Sequence, residues 1–316
     1  MSAPTFDFRD AAFTAVLELA KADPNVVVLT NDMGAMGLDK IREALPRQVI
    51  NVGISEQNMM STAGGLALGG KTVFVYGIAA HITARCFEQI KIDICVGDLP
   101  VTLLGVGAGL SYGPDGPTHH GVEDVAILRS LANMHIYNPA DAATTRNAVA
   151  LAYRSRRPSY VRLDKEILPE LYPEPIDYER GLAVVAEGED AAVVSTGVLT
   201  WTALDAAKRL GESGVGVRVV DLFRLKPVNE DALAEALARV RAVVTVEENV
   251  PDGGLGSIVA ELIAKRGLGI PFRKLSLGPD FLLGSSPREW ADAQFGLTPE
   301  GVAKAVRDLL GQGSSR

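Results

Sequence analysis

The sequence has few cysteines and no long apolar run. Two of its 316 residues are cysteine, Cys86 and Cys95, and both lie within one stretch of helical periodicity. We expect two reduced thiols in a core rather than a disulfide. No apolar run approaches the roughly 18 residues of a membrane-spanning helix. Because Asp7, Arg9 and Asp10 lie where a signal peptide would be apolar, we expect an unexported protein of the cytoplasm.

Positive charge is also scarce. The chain has 31 Lys and Arg against 39 Asp and Glu, a formal net charge of −8, and its basic residues form no cluster. This balance argues against a nucleic acid or an anionic membrane as partner and leaves small metabolites open. No cysteine or histidine spacing completes a metal site, so we predict none in this chain.

Short apolar segments alternate with helical periodicities along the chain. Val26 to Thr30 is typical of a buried parallel strand, and comparable runs recur, each followed by a helical pattern. A segment rich in proline and acidic residues, 169–181, has no clear period and is interpreted as a linker. The sequence therefore predicts an α/β protein with domains at 1–168 and 182–316, each a mostly parallel twisted sheet with helices on both faces.

One segment places a carboxylate where a strand meets a helix. Gln48 to Val52 is short and β-branched, Gly53 permits a turn, and Ser55 is a good N-cap, so Glu56 lies in the first helical turn. Ligands collect at the carboxyl ends of strands in open α/β sheets, which makes Glu56 a candidate site residue. Acidic residues also complement the helix dipole in first turns, so the spacing alone leaves a structural role open.

The residues around Glu56 resemble a known signature. Gly53-Ile-Ser-Glu-Gln-Asn-Met59 is similar to the Gly-Ile-x-Glu-Gln-Asn-Met sequence of the pyrimidine-binding domain of transketolases. Arg85-Cys-Phe-Glu-Gln89, Asp115-Gly-Pro-Thr-His-His120 and Asn138-Pro-Ala-Asp141 resemble further blocks of that family in the same order. Residues 190–310 resemble the C-terminal domain of the family more loosely.

A second motif of thiamine enzymes is missing. The Gly-Asp-Gly segment and later Asn that hold the diphosphate through a metal ion have no counterpart in a suitable context. The chain therefore resembles the C-terminal half of a transketolase, or the small subunit of a split one. The resemblance implies thiamine diphosphate as cofactor, with Mg²⁺ or Ca²⁺ held by a partner that carries the diphosphate-binding domain. It also implies an α2β2 heterotetramer with self-association through the pyrimidine domain.

The resemblance implies roles at the cofactor. Glu56 is the carboxylate that hydrogen-bonds the aminopyrimidine ring and promotes removal of the thiazolium proton. We expect burial against the apolar cofactor ring to outweigh the helix dipole and to raise the Glu56 pKa. Asp32 resembles the aspartate beside the thiamine. Ile78 and His81 match two phenylalanines that pack on the pyrimidine, and the imidazole of His81 can still stack there.

The segment from Gly105 to Gly121, the glycine loop, follows a predicted strand. Its glycines and prolines forbid regular structure, and long loops of this kind are usually functional. The resemblance implies that Asp115 and His119 face the substrate, reading its hydroxyls and stabilising the developing oxyanion. His120 is a weaker candidate. The alternative is a structural or metal-binding histidine pair.

Three departures concern the far end of the substrate. The Ser, His and Arg that hold a sugar phosphate in transketolases are matched by Met36, Gly107 and Lys165. Only Lys165 keeps a charge, and it lacks the paired donors of Arg. We expect at least one substrate to be unphosphorylated or to carry another terminal group, with Lys165 as its anion contact.

The predicted function is that of a transketolase subunit. Together with its partner it transfers a two-carbon ketol unit from a ketose donor to an aldose acceptor. A β-type subunit of a 2-oxoacid dehydrogenase and an enzyme similar to deoxyxylulose-phosphate synthase are the enzymatic alternatives. A noncatalytic assembly subunit is a further alternative, suggested by Ile78 and His81.

Overall fold

Two open sheets organise the residues that the computed structural model describes, 7–172 and 176–312. In chain order the strands are β1 (Val26–Thr30), β2 (Val49–Asn51), β3 (Thr72–Ile78), β4 (Val101–Val106), β5 (His135–Tyr137), β6 (Ser159–Leu163), β7 (Ala183–Ala186), β8 (Ala191–Ser195), β9 (Val217–Asp221), β10 (Arg224–Lys226), β11 (Val243–Val246) and β12 (Phe272–Leu275).

The helices cover these sheets. In chain order they are α1 (Phe8–Ala22), α2 (Met36–Ala44), α3 (Glu56–Leu68), α4 (Ala79–Thr83), α5 (Phe87–Gln89), α6 (Asp124–Arg129), α7 (Ala142–Ser155), α8 (Leu199–Glu212), α9 (Glu230–Ala236), α10 (Leu255–Arg266), α11 (Arg288–Phe295) and α12 (Pro299–Gln312).

The strand order is β10-β5-β6-β4-β3-β1-β2 in the first sheet and β12-β11-β8-β9-β7 in the second. All neighbouring pairs are parallel except β10 with β5 and β7 with β9, each at a sheet edge. Strands β1, β4, β8 and β11 are buried along their whole length, as expected of strands covered on both faces. The predicted α/β fold class is confirmed.

The two sheets share one core. A single hydrophobic cluster includes side chains packed against the first sheet, such as Met59, and side chains of α9 and α10, such as Leu233 and Ile258. Strand β10 crosses between them, because it follows β9 of the second sheet in the chain yet pairs with β5 of the first. Burial of this common apolar surface holds the two halves together.

The pattern from Ala80 to Val96 predicts a single helix, and this prediction is wrong. The segment consists of α4, a turn, α5 and a π-helical stretch, Ile90–Cys95. The π-helical stretch packs closely on α3, where a Cβ added at Gly64 would lie 2.4 Å from the carbonyl oxygen of Asp93. The turn before α5 carries Arg85, whose side chain is then free to reach Glu56.

Four short elements were not predicted, namely α2, β7, β10 and α11. Strand β10 spans three residues, and β7 is not fully buried at any position. These two strands have too few residues to show a period. Their positions are set by the elements on which they pack.

Two buried carboxylates form hydrogen bonds with residues at the start of the predicted linker. Residues 173–175 of this linker lie outside the described part of the chain. Asp141 caps α7 and its Oδ2 accepts a hydrogen bond from the backbone N–H of Leu171 at 2.5 Å. The Tyr172 hydroxyl donates to Asp221 Oδ2 at 2.6 Å, and the Thr200 hydroxyl donates to Asp221 Oδ1 at 3.2 Å. Burial raises the pKa of Asp221 to about 7.

This elevated pKa predicts a pH dependence of stability. Because Asp221 binds its proton more tightly in the folded chain than in the unfolded one, the free energy of unfolding falls as the pH rises from about 4 to about 7. Asp221→Asn should remove this part of the decline. Thermal unfolding at about pH 5 and about pH 8 measures it, with exposed Asp205→Asn as control. An unchanged pH dependence in Asp221→Asn would contradict the assignment.

Candidate active site

Glu56 begins α3 at the carboxyl edge of the first sheet, as the sequence predicts. The residue is 5% exposed. Its Oε1 accepts a hydrogen bond from Asn31 Nδ2 at 2.9 Å, and its Oε2 accepts one from Arg85 Nη1 at 2.9 Å. Ser55 occupies the N-cap position, but its hydroxyl donates to the Val52 carbonyl at 3.1 Å instead of capping the helix. The helix start thus presents a buried carboxylate with two side-chain donors.

The Glu56 pKa is lowered in this chain by itself, and its predicted rise on burial against the cofactor ring stays a prediction. Burial alone would raise the pKa, but hydrogen bonds from the residue's own backbone N–H and from Arg85 and Asn31, with the charge of Arg85, outweigh burial and lower it. Glu56 is therefore ionised at neutral pH. The helix dipole is only one of the groups that oppose burial here, and the sequence does not show that Arg85 approaches.

His81 stands between Glu56 and the glycine loop. Its Nε2 is 3.1 Å from the carbonyl oxygen of Thr118, which can only accept, so Nε2 carries the proton. Its Nδ1 lies 3.9 Å from Glu56 Oε1. Burial, followed by the charge of Arg85, lowers the His81 pKa, and the imidazole is neutral near pH 7 with Nδ1 as an acceptor. Half-buried Ile78 ends β3 just before α4.

The glycine loop places one of its two histidines beside His81 and the other in the interior. The His119 ring centroid is 5.1 Å from that of His81, and its Nδ1 is 2.9 Å from the Thr118 hydroxyl. His120 is 4% exposed and donates from Nε2 to the Gly113 carbonyl at 3.1 Å. Because His120 is buried and hydrogen-bonded to the loop backbone, its role here is structural. This agrees with its being the weaker of the two candidates.

The predicted site residues Asp32 and Asp115 lie at the surface. Asp115 belongs to a short 3₁₀ turn of the loop and is exposed. Asp32 is exposed and accepts a hydrogen bond from Asn51 Nδ2 at 3.1 Å. Its neighbour Asn31, which the sequence analysis missed, is the residue that contacts Glu56, and the Oδ1 of Asn31 is buried without a partner.

The three positions that depart from the transketolase pattern differ in their surroundings. Met36 begins α2 and is 73% exposed. Gly107 has φ +93°, and a Cβ added there would lie 2.3 Å from Tyr112 Cδ2, so a larger residue and this ring exclude each other. The Nζ of Lys165 lies 4.4 Å from the Tyr112 ring centroid, within cation–π range. Tyr112 is a further residue that the sequence analysis missed.

Three further expectations concern metals, membranes and thiols. Within residues 7–172 and 176–312, no group of three or more His, Cys, Asp or Glu is arranged to hold a metal ion. No helix of that same part is long and apolar enough to cross a membrane. Cys86 and Cys95 are buried and free, as expected, and burial raises the pKa of both thiols to about 12.

Comparison with known families decides the membership of the chain. The family described as transketolase, pyrimidine binding domain, matches residues 5–170, and the transketolase C-terminal domain matches residues 181–302. The chain belongs to the transketolase family. The resemblance noted from the signature around Glu56 is thereby confirmed.

Several similar proteins of the family are subunits of about the same length. One subunit of the apulose-4-phosphate transketolase of Phocaeicola vulgatus is 34% identical over 96% of this chain and 97% of its own. A subunit of the 6-deoxy-6-sulfo-D-fructose transketolase of a Clostridium species is 30% identical over 95% and 94%. A solved structure described as a split gene transketolase, inactive beta4 tetramer, superposes with a TM-score of 0.86 at 35% identity. The match covers 98% of this chain and 99% of the solved chain. This chain is a subunit of the transketolase type.

The ion pair at Glu56 leads to a measurable expectation. Replacing Arg85 by Gln removes the cation that offsets burial, so the Glu56 pKa should rise above its value in the unaltered chain. Titration of the carbon-13-labelled Glu carboxyls, with Glu56→Gln to assign the signal, measures the change. Arg42→Gln, which breaks the exposed pair with Asp39, is the control. The same Glu56 pKa with and without Arg85 would refute the assignment.

Proposed function

We propose that this chain is the pyrimidine-domain subunit of a split, thiamine-diphosphate-dependent transketolase. Together with its partner it transfers a two-carbon ketol unit from a ketose to an aldose. The observation that carries the proposal is the buried carboxylate of Glu56 at the carboxyl edge of the sheet, with His81 and His119 beside it. Relatives of the same length are named as transketolase subunits, which favours this activity over the dehydrogenase and synthase alternatives.

The residues around Glu56 fit the aminopyrimidine end of thiamine diphosphate. Each oxygen of an ionised carboxylate can accept two hydrogen bonds, so Glu56 retains acceptor capacity beyond Asn31 and Arg85. The buried, unpartnered Oδ1 of Asn31 offers a second acceptor nearby. Ile78 and His81 supply an apolar and a ring surface where the family has aromatic residues, and His81 is held in one orientation by Thr118.

Each side chain has a defined task. When bound, thiamine diphosphate supplies the carbanion chemistry that breaks and re-forms a carbon–carbon bond next to a carbonyl. Glu56 would share a proton with the ring nitrogen through its remaining acceptor capacity, and Arg85 favours the ionised form of Glu56 that accepts it. In the tautomer in which His119 Nδ1 accepts from the Thr118 hydroxyl, Nε2 carries the proton and can donate to a substrate oxygen. Exposed Asp115 accepts from the sugar hydroxyls.

The diphosphate and its Mg²⁺ or Ca²⁺ belong to a partner subunit in this proposal. The fit of the metal to this chain is poor, because the described residues offer no cluster of ligands. We propose an α2β2 heterotetramer, with self-association through the pyrimidine domain. The similar split-gene protein, whose tetramer of one subunit type is described as inactive, supports both self-association and the need for a partner. The buried free thiols of this chain support the cytoplasmic location, which stays a prediction.

Lys165 is proposed as the contact for the far end of the sugar. The two relatives are named for a sugar phosphate and for a 6-sulfo sugar, so terminal anions of different kinds occur among similar proteins. The Lys165 ammonium, placed over the Tyr112 ring, supplies charge without the paired geometry that selects a phosphate. This supports a substrate that is unphosphorylated or carries another terminal group.

Reconstitution with the partner subunit tests the activity. We expect no turnover from the isolated chain with thiamine diphosphate and Mg²⁺, and ketol transfer from the complex. Glu56→Gln should bind the partner and slow transfer by about 10²-fold or more, because the proton shared at the carboxylate is lost. Asp39→Asn, an exposed first-turn carboxylate of α2, is the control. Full activity of Glu56→Gln would refute its role, and inactivity of the unaltered complex would favour the noncatalytic alternative.

The substrate end can be tested separately. In the complex, kcat/KM for a ketose phosphate should exceed that for the unphosphorylated ketose by less than about a thousandfold, because only one cation replaces three phosphate contacts. Lys165→Met should lower that preference by about tenfold or more. Lys208→Met, which removes an exposed lysine of α8 beside the second sheet, should leave the phosphate preference unchanged. A preference for the phosphate of a thousandfold or more would contradict the assignment. An unchanged preference in Lys165→Met would contradict it as well.

A further inference from the structure

The glycine loop is held at its opening by a carboxylate from the second sheet. Glu248 follows β11 and is 5% exposed. Its Oε2 accepts a hydrogen bond from the backbone N–H of Leu110 at 3.0 Å. Gly109 has φ +56°, and a Cβ added there would lie 2.1 Å from the same oxygen. The loop backbone therefore approaches this carboxylate as closely as only glycine allows.

An arginine joins this carboxylate to the first sheet. Arg288, in the first turn of α11, donates from Nη2 to Asp164 Oδ2 at 2.5 Å and to Glu248 Oε2 at 3.1 Å. The same nitrogen lies 3.4 Å from the Ala108 carbonyl in the loop. Asp164 follows β6 and precedes Lys165, the proposed anion contact. One guanidinium thus links two buried carboxylates and the loop.

The rest of the loop base is also fixed, whereas its middle is open. Gly109 and Gly121 exchange backbone hydrogen bonds of 2.9 and 3.0 Å, which close the base. A Cβ at Gly113 would lie 2.3 Å from the Ser286 carbonyl oxygen, so the loop rests on the segment before α11. Between these contacts, Asp115 and Thr118 are exposed and His119 is half-buried.

We propose that Glu248 and Arg288 are positioning residues of the C-terminal domain that fix the glycine loop for substrate binding. They touch neither Glu56 nor His81 but hold the base from which Asp115 and His119 project. A buried charge that loses its partner is strongly unfavourable, so the arrangement is held in one geometry. The proposal rests on the proposed function for its kinetic consequence, although the anchoring of the loop is independent of it.

A matched pair of adjacent carboxylates tests the proposal. Glu247 is as deeply buried as Glu248, but its oxygens accept from the backbone N–H groups of Leu255 and Gly256 at the start of α10. Glu248→Ala should increase amide hydrogen exchange over residues 107–121 by tenfold or more, and Glu247→Ala should not. Glu248→Gln retains an acceptor for Leu110 and should show a smaller increase than Glu248→Ala. If Glu248→Ala fails to fold, Arg288→Gln, which removes the donor to Glu248 and to the Ala108 carbonyl, gives the comparison with Glu247→Ala.

Kinetics of the reconstituted complex provide the second measurement. Since displacement of reacting groups by about 1 Å costs up to about 10²-fold, Glu248→Ala should lower kcat/KM for the sugar by tenfold or more. Exchange of the thiazolium proton, which depends on Glu56, should remain unchanged. Equal rates of amide hydrogen exchange over residues 107–121 in Glu247→Ala and Glu248→Ala would overturn the anchoring. Faster loop exchange with unchanged kcat/KM would overturn the positioning role, whereas an inactive unaltered complex would reject the proposed function and leave the anchoring measurable.

Discussion

The pairing of buried Glu56 with Arg85 is the interaction on which the candidate site depends. A carboxylate that is 5% exposed would lose its charge without a donor, and Arg85 and Asn31 supply donors at opposite oxygens. Arg85 can reach Glu56 because the helical segment is broken between α4 and α5. The same positive charge helps to keep His81 neutral, so that its Nδ1 faces the carboxylate as an acceptor. The charge of Arg85 therefore contributes to the pKa of both site residues.

The second sheet contributes to the site although none of the residues predicted from the sequence lies in it. It shares a hydrophobic core with the first sheet, and β10 leaves it to pair with β5. The end of the glycine loop is stiffened by a buried hydrogen-bonded network of Asp124, Tyr160 and Arg162. In this network Arg162 also donates to the Gly121 carbonyl at 2.7 Å. Residues of both halves of the chain thus contact the base of the loop. Such contacts suit a segment that must hold exposed side chains in fixed positions.

Much of the fold could be predicted because long buried strands have an unambiguous composition. Strand β1 has the predicted bounds, since an apolar β-branched run leaves few alternatives. The single helix predicted from Ala80 to Val96 shows the limit. Its periodicity is helical, but the structure has a π-helical stretch that packs closely on Gly64 and that no local pattern indicates. Short edge strands such as β10 likewise depend on a partner that is distant in the chain.

The sequence by itself determined the α/β class, the position of Glu56 at a helix start and the resemblance that identified the family, because these depend on local pattern and on residues adjacent in the chain. The tertiary structure decided which groups surround them. It gave Glu56 a lowered pKa through hydrogen bonds from its own backbone N–H, Arg85 and Asn31, left Asp32 at the surface, and turned His120 inward while it placed His119 beside His81. Charge, burial and hydrogen bonding act through space over a few ångströms, and that proximity is set by packing rather than by spacing in the sequence.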